Sequence, residues 1–276
     1  SSERRIAMSA STITYESRDN IAIITLTDSK NLNILTHDMV DALQDAWHRF
    51  NASDDKVAIL TGGGDKAFSV GANLSDPPEL WKFVPGIGVE VDKPVIAAVN
   101  GICVGGAVVL VQFCDLCIMS EEAKFTYPEA KVGLSGGLIT SLAARIPHKV
   151  AMEFIYGLAE MSAARAYDVG LVNKVVPKDQ VMDAAMAYAV ELRDSAPMVL
   201  SMVKRFVGEV LAKGPSERSG LALRDTRAIL ESDDFAEGAA AFAEKRAPKF
   251  TSSPSRDLPP FYADWVAGRR GPADPG

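Results

Sequence analysis

The chain has 276 residues, 47% of them hydrophobic, and a net charge of −7. That length buries a sizeable core in one large domain, or in one domain with a helical extension. The acidic balance excludes a global basic footprint for nucleic acid, and no apolar run reaches the roughly eighteen residues that a membrane-spanning helix needs.

Residues 1–11 lack an apolar core of signal-peptide length and are expected to form a disordered leader. Residues 12–27 (TITYESRDNIAIITLT) predict two short strands around an Asp19-Asn20 turn. Thr36 follows as a helix N-cap, with Leu35 before it. Met39, Val40, Leu43, Trp47 and Phe50 then recur at helical spacing on one apolar face. VAILTG (57–62) and PVIAAVNG (94–101) read as buried strands, each ending in glycine. LCIMS (116–120) and AKFT (123–126) read as further strands. Strands separated by helices predict crossovers and a largely parallel sheet, hence an α/β fold. From Leu138 the chain is expected to be helical, over 138–145, 148–158, 162–168, 179–193, 196–212 and 216–246. The Pro-, Ser- and Gly-rich stretch 251–276 is expected to be an extended or disordered tail.

Cys103, Cys114 and Cys117 make no disulfide framework. Cys114 and Cys117 spell C-x-x-C, but they sit in VVLVQFCDLCIM with no second pair and no nearby His, so a buried apolar role outweighs metal or redox chemistry. No metal site is expected, and free thiols point to a reducing compartment, the cytoplasm. Gly62-Gly63-Gly64-Asp65-Lys66 fails as a phosphate loop. Asp65, Leu60 and Ala67 stand where such a loop needs Gly, Gly and Ser or Thr. Gly133-Leu134-Ser135-Gly136-Gly137 matches G-x-S-x-G, but the one histidine after it, His148, is too close in sequence to complete a hydrolase triad. His37, His48 and His148 read as surface or structural.

Two glycine-bearing turns follow the buried strands, Ala67–Leu74 and Asn100–Ala107. Turns without bulky side chains let a ligand approach backbone amides. Gly106 also opens an apolar helix, where free amides favour negative charge. On the residues alone, an oxyanion site and simple tight packing are evenly matched.

Four segments carry a resemblance: TGGGDKAFSVGANLSD, KPVIAAVNGICVGGA, AKFTYPEAKVGL and MSAARAYDVGLVNKVVP. In order and spacing, from about Ile13 to Phe250, the chain resembles the crotonase, or enoyl-CoA hydratase/isomerase, superfamily. The resemblance implies a crotonase-like ββα spiral core over 12–200 and a helical C-terminal trimerisation region over 201–250. It implies an acyl-CoA thioester substrate, no cofactor beyond the CoA moiety, and a homotrimer or dimer of trimers. The thioester oxygen would sit between the backbone amides of Ala72 and Gly106. CoA would lie against Gly71, Ala72, Asn73, Leu74, Gly105 and Gly106, helped by Lys30, Leu32, Lys245 and Phe250.

Hydratases of that superfamily grip water with two glutamates. The position matching the second is Glu129. The position matching the first, three residues past Gly106, is Val109. One carboxyl suffices to carry a proton between two carbons, so the sequence leans to double-bond isomerisation, with Glu129 in an apolar pocket and its pKa raised. Hydration with another group, C–C hydrolysis or cleavage, decarboxylation and acyl-CoA binding without turnover are the alternatives. Asp76 and Glu79 are unsupported candidates for a second acid. The stretch from Asn73 to Lys93, with Asp76-Pro77-Pro78, predicts an irregular segment.

Overall fold

The computed structural model describes residues 12–135, 137–210 and 228–252. The expected leader 1–11, residues 216–227 of the last expected helix, and 253–276 of the tail lie outside them. The fold is α/β. A six-stranded sheet and a four-stranded sheet make up its β-structure.

Strands β1 (Ile13–Arg18) and β2 (Ile21–Leu26) form the expected antiparallel hairpin. Asp19 and Asn20 both have positive φ, 50° and 60°, the geometry whose twist matches a two-residue hairpin loop. β2 pairs in parallel with β3 (Val57–Gly62), which pairs in parallel with β5 (Val95–Val99). β7 (Leu116–Ser120) and β10 (Lys174–Val176) complete the parallel part. β3 and β5 are buried along their whole length. Continuous apolar runs are what a sheet covered on both faces requires.

The two faces can be read off the alternation. Ala22, Ile24, Leu60, Ala97 and Val99 join the main core, beneath α1 (His37–Ala52). Ile21, Val57, Ile59, Ile96 and Ala98 face the other way, onto Val181, Ala185 and Ala189 of α5 (Val181–Arg193). Thr36 caps α1, its side chain accepting from the Met39 amide, and the predicted apolar face is the buried one. At the other end of α1, the Lys93 ammonium donates to the carbonyls of Phe50, Ser53 and Asp55.

The second sheet positions the site. β3, β5 and β7 each turn a corner into a three-residue strand: β4 (Ala67–Ser69), β6 (Ile102–Val104) and β8 (Lys124–Thr126). These lie side by side, parallel, with β6 in the middle. β9 (Met161–Ser162) adds an antiparallel edge. The sequence predicted bare turns where β4 and β6 stand. A three-residue strand beside glycines carries too little alternation to register. The corners are stapled. Asn33, fully buried, donates to the carbonyls of Gly63, Ala67 and Phe68. Asn100 donates to those of Gly62 and Gly64.

The helices beyond are α2 (Gly106–Gln112), α3 (His148–Ile155), α4 (Ala163–Asp168), α6 (Pro197–Val210) and α7 (Asp233–Glu244). Two expectations are corrected. Residues Leu138–Ala144 form a 3-10 helix rather than an α-helix, begun by Gly137 in the left-handed conformation. The helix expected over 216–246 is interrupted before Ser232, whose hydroxyl accepts from the Phe235 amide and starts α7 afresh. The stretch after Asn73 is irregular apart from a 3-10 turn, Leu80–Phe83.

Candidate active site

Three chain segments leave the same ends of three adjacent parallel strands. β4 runs into Gly71-Ala72, β6 into Gly105-Gly106, and β8 into Tyr127-Pro128-Glu129. Residues nearly sixty positions apart therefore meet at one end of the small sheet.

The backbone at this edge is held apart from ordinary pairing. Gly71 has φ +85°, and a β-carbon there would stand 2.7 Å from the Val104 carbonyl and 3.6 Å from the Gly106 nitrogen. That contact sets the two glycine turns against each other, and only glycine permits it. The 32–35 segment runs beside the first turn: Val70 donates to the Leu32 carbonyl, Leu35 to that of Gly71, and Asn73 to that of Leu35. Those bonds skip the Ala72 amide. Gly105, at φ 58°, donates to the Thr126 carbonyl, and its own carbonyl accepts from Val108 and Val109. Gly106, the first residue of α2, has no preceding turn to bond. Among the described residues, the amides of Ala72 and Gly106 donate to no protein acceptor. Leu80 packs directly on Gly106, with Leu35 beside it.

Glu129 is buried on a single 3-10 turn. Its carbonyl accepts from the amides of both Val132 and Leu134, which fixes the turn. Its Oε1 lies against Gly105 so closely that any β-carbon there would overlap it. Oε2 is buried without a hydrogen-bond partner among the described residues. Burial pushes the carboxyl up to about 8, against a smaller opposing effect of its own backbone amide. A carboxyl stripped of water and given no cation prefers its proton. Val109 stands one turn beyond Gly105, buried and aliphatic.

The other sequence candidates are placed as follows. Leu32, in the left-handed conformation at φ 56°, is tied to the first turn through its carbonyl. Lys30 is exposed on the adjoining 3-10 turn Ser29–Asn31. Asn73 and Leu74 are half-buried just past Ala72. Lys245 and Phe250 are exposed on the segment after α7 and make no hydrogen bond to the glycine turns among the described residues. Asp76 pairs with His37 at 3.2 Å and Glu79 with Lys82 at 2.7 Å, both on the surface. The Lys82 ammonium holds Glu79 below the usual carboxylate range. Ser135 is engaged within its own loop, where it accepts from the Gly137 amide at 3.1 Å. Desolvation raises all three thiols. Sequence reasoning missed Leu35, Leu80 and Asn33 as parts of the site's frame. Adjacent residues in Asn-Leu-Asn, ahead of a helix cap, were the available sign of a left-handed bend.

The sequence profile of the family described as "Enoyl-CoA hydratase/isomerase" matches residues 16–83 and 86–253. A carnitinyl-CoA dehydratase from Salmonella typhi is 37% identical over 228 residues, covering 75% of this chain and 86% of that protein. The chain belongs to the enoyl-CoA hydratase/isomerase family. It is therefore an acyl-CoA enzyme of the lyase or isomerase type, with the fold of the crotonase superfamily. The crystal structure of a carnitinyl-CoA hydratase from Mycobacterium avium matches with a TM-score of 0.80 at 31% identity, over 89% of this chain and all of that one. An enoyl-CoA hydratase/isomerase structure from Pseudoalteromonas atlantica gives 0.78 at 25% identity, over 87% of this chain and all of that one. Among the described residues, no helix is long and apolar enough to cross a membrane.

Proposed function

We propose that this enzyme turns over an acyl-CoA thioester through an enolate, with Glu129 as its one acid/base group. The observation that carries the reading is the pairing of two unengaged amides, Ala72 and Gly106, with a single buried carboxyl at the ends of adjacent strands. The thioester oxygen lies between the two amides. Glu129, as carboxylate, takes a proton from C2, and the electron pair moves onto that oxygen, where the amides stabilise it. In a 3-enoyl-CoA the charge spreads to C4. Glu129 then returns the proton at C4, giving the conjugated 2-enoyl-CoA. Nothing is gained or lost, and one carboxyl is enough. Val109 supports this lean, because an aliphatic side chain cannot orient or deprotonate water.

A second reading is dehydration of a 3-hydroxyacyl-CoA, favoured by the name of the 37% identical relative. Glu129 would take the C2 proton and hand it to the departing C3 hydroxyl. The same enolate serves both reactions.

CoA is proposed to lie along Gly71, Ala72, Asn73, Leu74 and Gly105, with Leu32 and Lys30 beside it and Lys245 and Phe250 contributing from the C-terminal segment. Assembly as a trimer or paired trimers is supported by α6, which exposes Met198, Val199, Met202, Val203, Phe206 and Val207, a patch that self-association would bury. The three unpaired cysteines support a reducing cytoplasm.

The test is a panel of 3-enoyl-CoA, 2-enoyl-CoA and 3-hydroxyacyl-CoA substrates, with light scattering for the assembly. Turnover of the 3-enoyl substrate without hydration of the 2-enoyl substrate supports the lead. Dominant dehydration selects the second reading. Failure to turn over any of the three, with C–C cleavage of other CoA esters instead, would overturn both.

A further inference from the structure

The C-terminal helix α7 meets the segment after Glu129 through close backbone contacts. Gly238, in the middle of α7, lies so near the Val132 carbonyl that a β-carbon would overlap it. Gly133, at φ +68°, lies nearly as close to the Asp234 carbonyl in the first turn of the same helix. Two glycines, one on each side, make this approach possible. Gly238 precedes three alanines, Ala239, Ala240 and Ala241. A glycine mid-helix costs about 1 kcal/mol relative to alanine, and the contact with Val132 gives the cost its reason.

The turn passes any displacement to the carboxyl. The amides of Val132 and Leu134 both donate to the Glu129 carbonyl, at 3.1 and 3.0 Å. Glu129 in turn presses on Gly105, so the carboxyl has little room to absorb a shift. The far side of α7 is tied down as well. Asp234 accepts from the amides of Thr251 and Ser252, and Glu237 accepts from the Lys249 amide and pairs with Arg246.

We propose that α7 is the backstop that positions Glu129, and that Gly238 and Gly133 are its positioning residues. The inference rests on the reading of Glu129 as the acid/base group. It predicts that the C-terminal segment affects the chemical step without touching the reacting atoms.

The experiment compares Gly238→Ala with Gly208→Ala and Glu129→Gln in the full chain. Gly208 lies on α6 with nothing within 4 Å of a β-carbon, so its alanine variant shares the helix effect and lacks the contact. Gly238→Ala is expected to lower kcat about tenfold to a hundredfold, as a small misplacement does, with KM changed by less than about threefold. The midpoint of its pH–rate profile should fall by about one unit as water reaches the displaced carboxyl. Gly208→Ala should behave as the parent. If Gly238→Ala does not fold, Ser232→Ala loosens the turn of α7 that rests on Gly133, and the same split is expected. A folded Gly238→Ala or Ser232→Ala with unchanged kcat and pH midpoint overturns the backstop. Should Glu129→Gln keep full activity, the acid/base reading itself fails, a separate outcome.

Discussion

The carboxyl of Glu129 rests on the bare backbone of Gly105. Any side chain at position 105 would push the carboxyl away from the strand ends where the free amides of Ala72 and Gly106 lie. The carboxyl is buried, and burial raises its pKa to about 8.

The rate should therefore follow ionisation of Glu129. Proton abstraction needs the carboxylate, so kcat/KM is expected to rise with pH and level off above about 8. A pH–rate profile checks this. A limb in the ordinary carboxylate range would remove burial as the controlling influence.

Stability should carry the opposite slope. Folded Glu129 holds its proton up to about 8, whereas the unfolded chain releases it near 4.5. Between those values the folded state binds more protons, so stability falls as pH rises and flattens above the window. The loss is on the order of 5 kcal/mol. Glu129→Gln should remove that slope and be the more stable protein at pH 8, read by denaturant titration at several pH values.

Gly71→Ala should damage both fold and rate. The site has φ +85° and only 2.7 Å to the Val104 carbonyl. Strain of this kind costs about 1–3 kcal/mol, and the Ala72 amide would move with it. A melting curve and a kcat measurement should fall together. Activity at parent level in a folded Gly71→Ala would count against the first amide.

Asn33→Ala should destabilise without touching the chemistry. The two N–H groups of one buried amide serve three carbonyls, those of Gly63, Ala67 and Phe68, which would lose that donor. At about 1 kcal/mol for each N–H donor, a loss of roughly 2 kcal/mol is expected in urea unfolding. The pH midpoint should not move.

Val109→Glu tests the proposed preference for isomerisation over hydration. It restores an acid one turn from Gly105, at a buried position. The variant should lose stability from burying a carboxyl, by about 1–3 kcal/mol, and gain hydration of 2-enoyl-CoA. No gain would mean that the aliphatic residue is not what limits the parent.

Much of this was legible in the chain itself. The hairpin, α1 and its cap, and the buried strands each have a local cause: left-handed turn residues, apolar spacing, or continuous apolar runs. The paired glycines at 71 and at 105–106 marked close backbone approach, and Glu129 stood out once its segment was matched. What stayed hidden was long-range. The strands β4 and β6 are three residues long and gain their identity from pairing with each other. Leu80 reaches Gly106 from an irregular segment with no periodic signal. The contact between Gly238 and Val132 joins positions more than a hundred residues apart, and a lone glycine in an alanine-rich helix looks like an ordinary weak spot until its neighbour is seen.

The central claim is that one carboxyl, Glu129, moves the α-proton of a thioester whose oxygen the two amides hold. The most direct test is exchange of that proton for deuterium in D2O, followed by NMR on a saturated acyl-CoA, for the parent and for Glu129→Gln. Steady exchange is expected from the parent, and a loss of at least about a hundredfold in the variant, with acyl-CoA binding kept. Exchange at an undiminished rate in Glu129→Gln would contradict that claim.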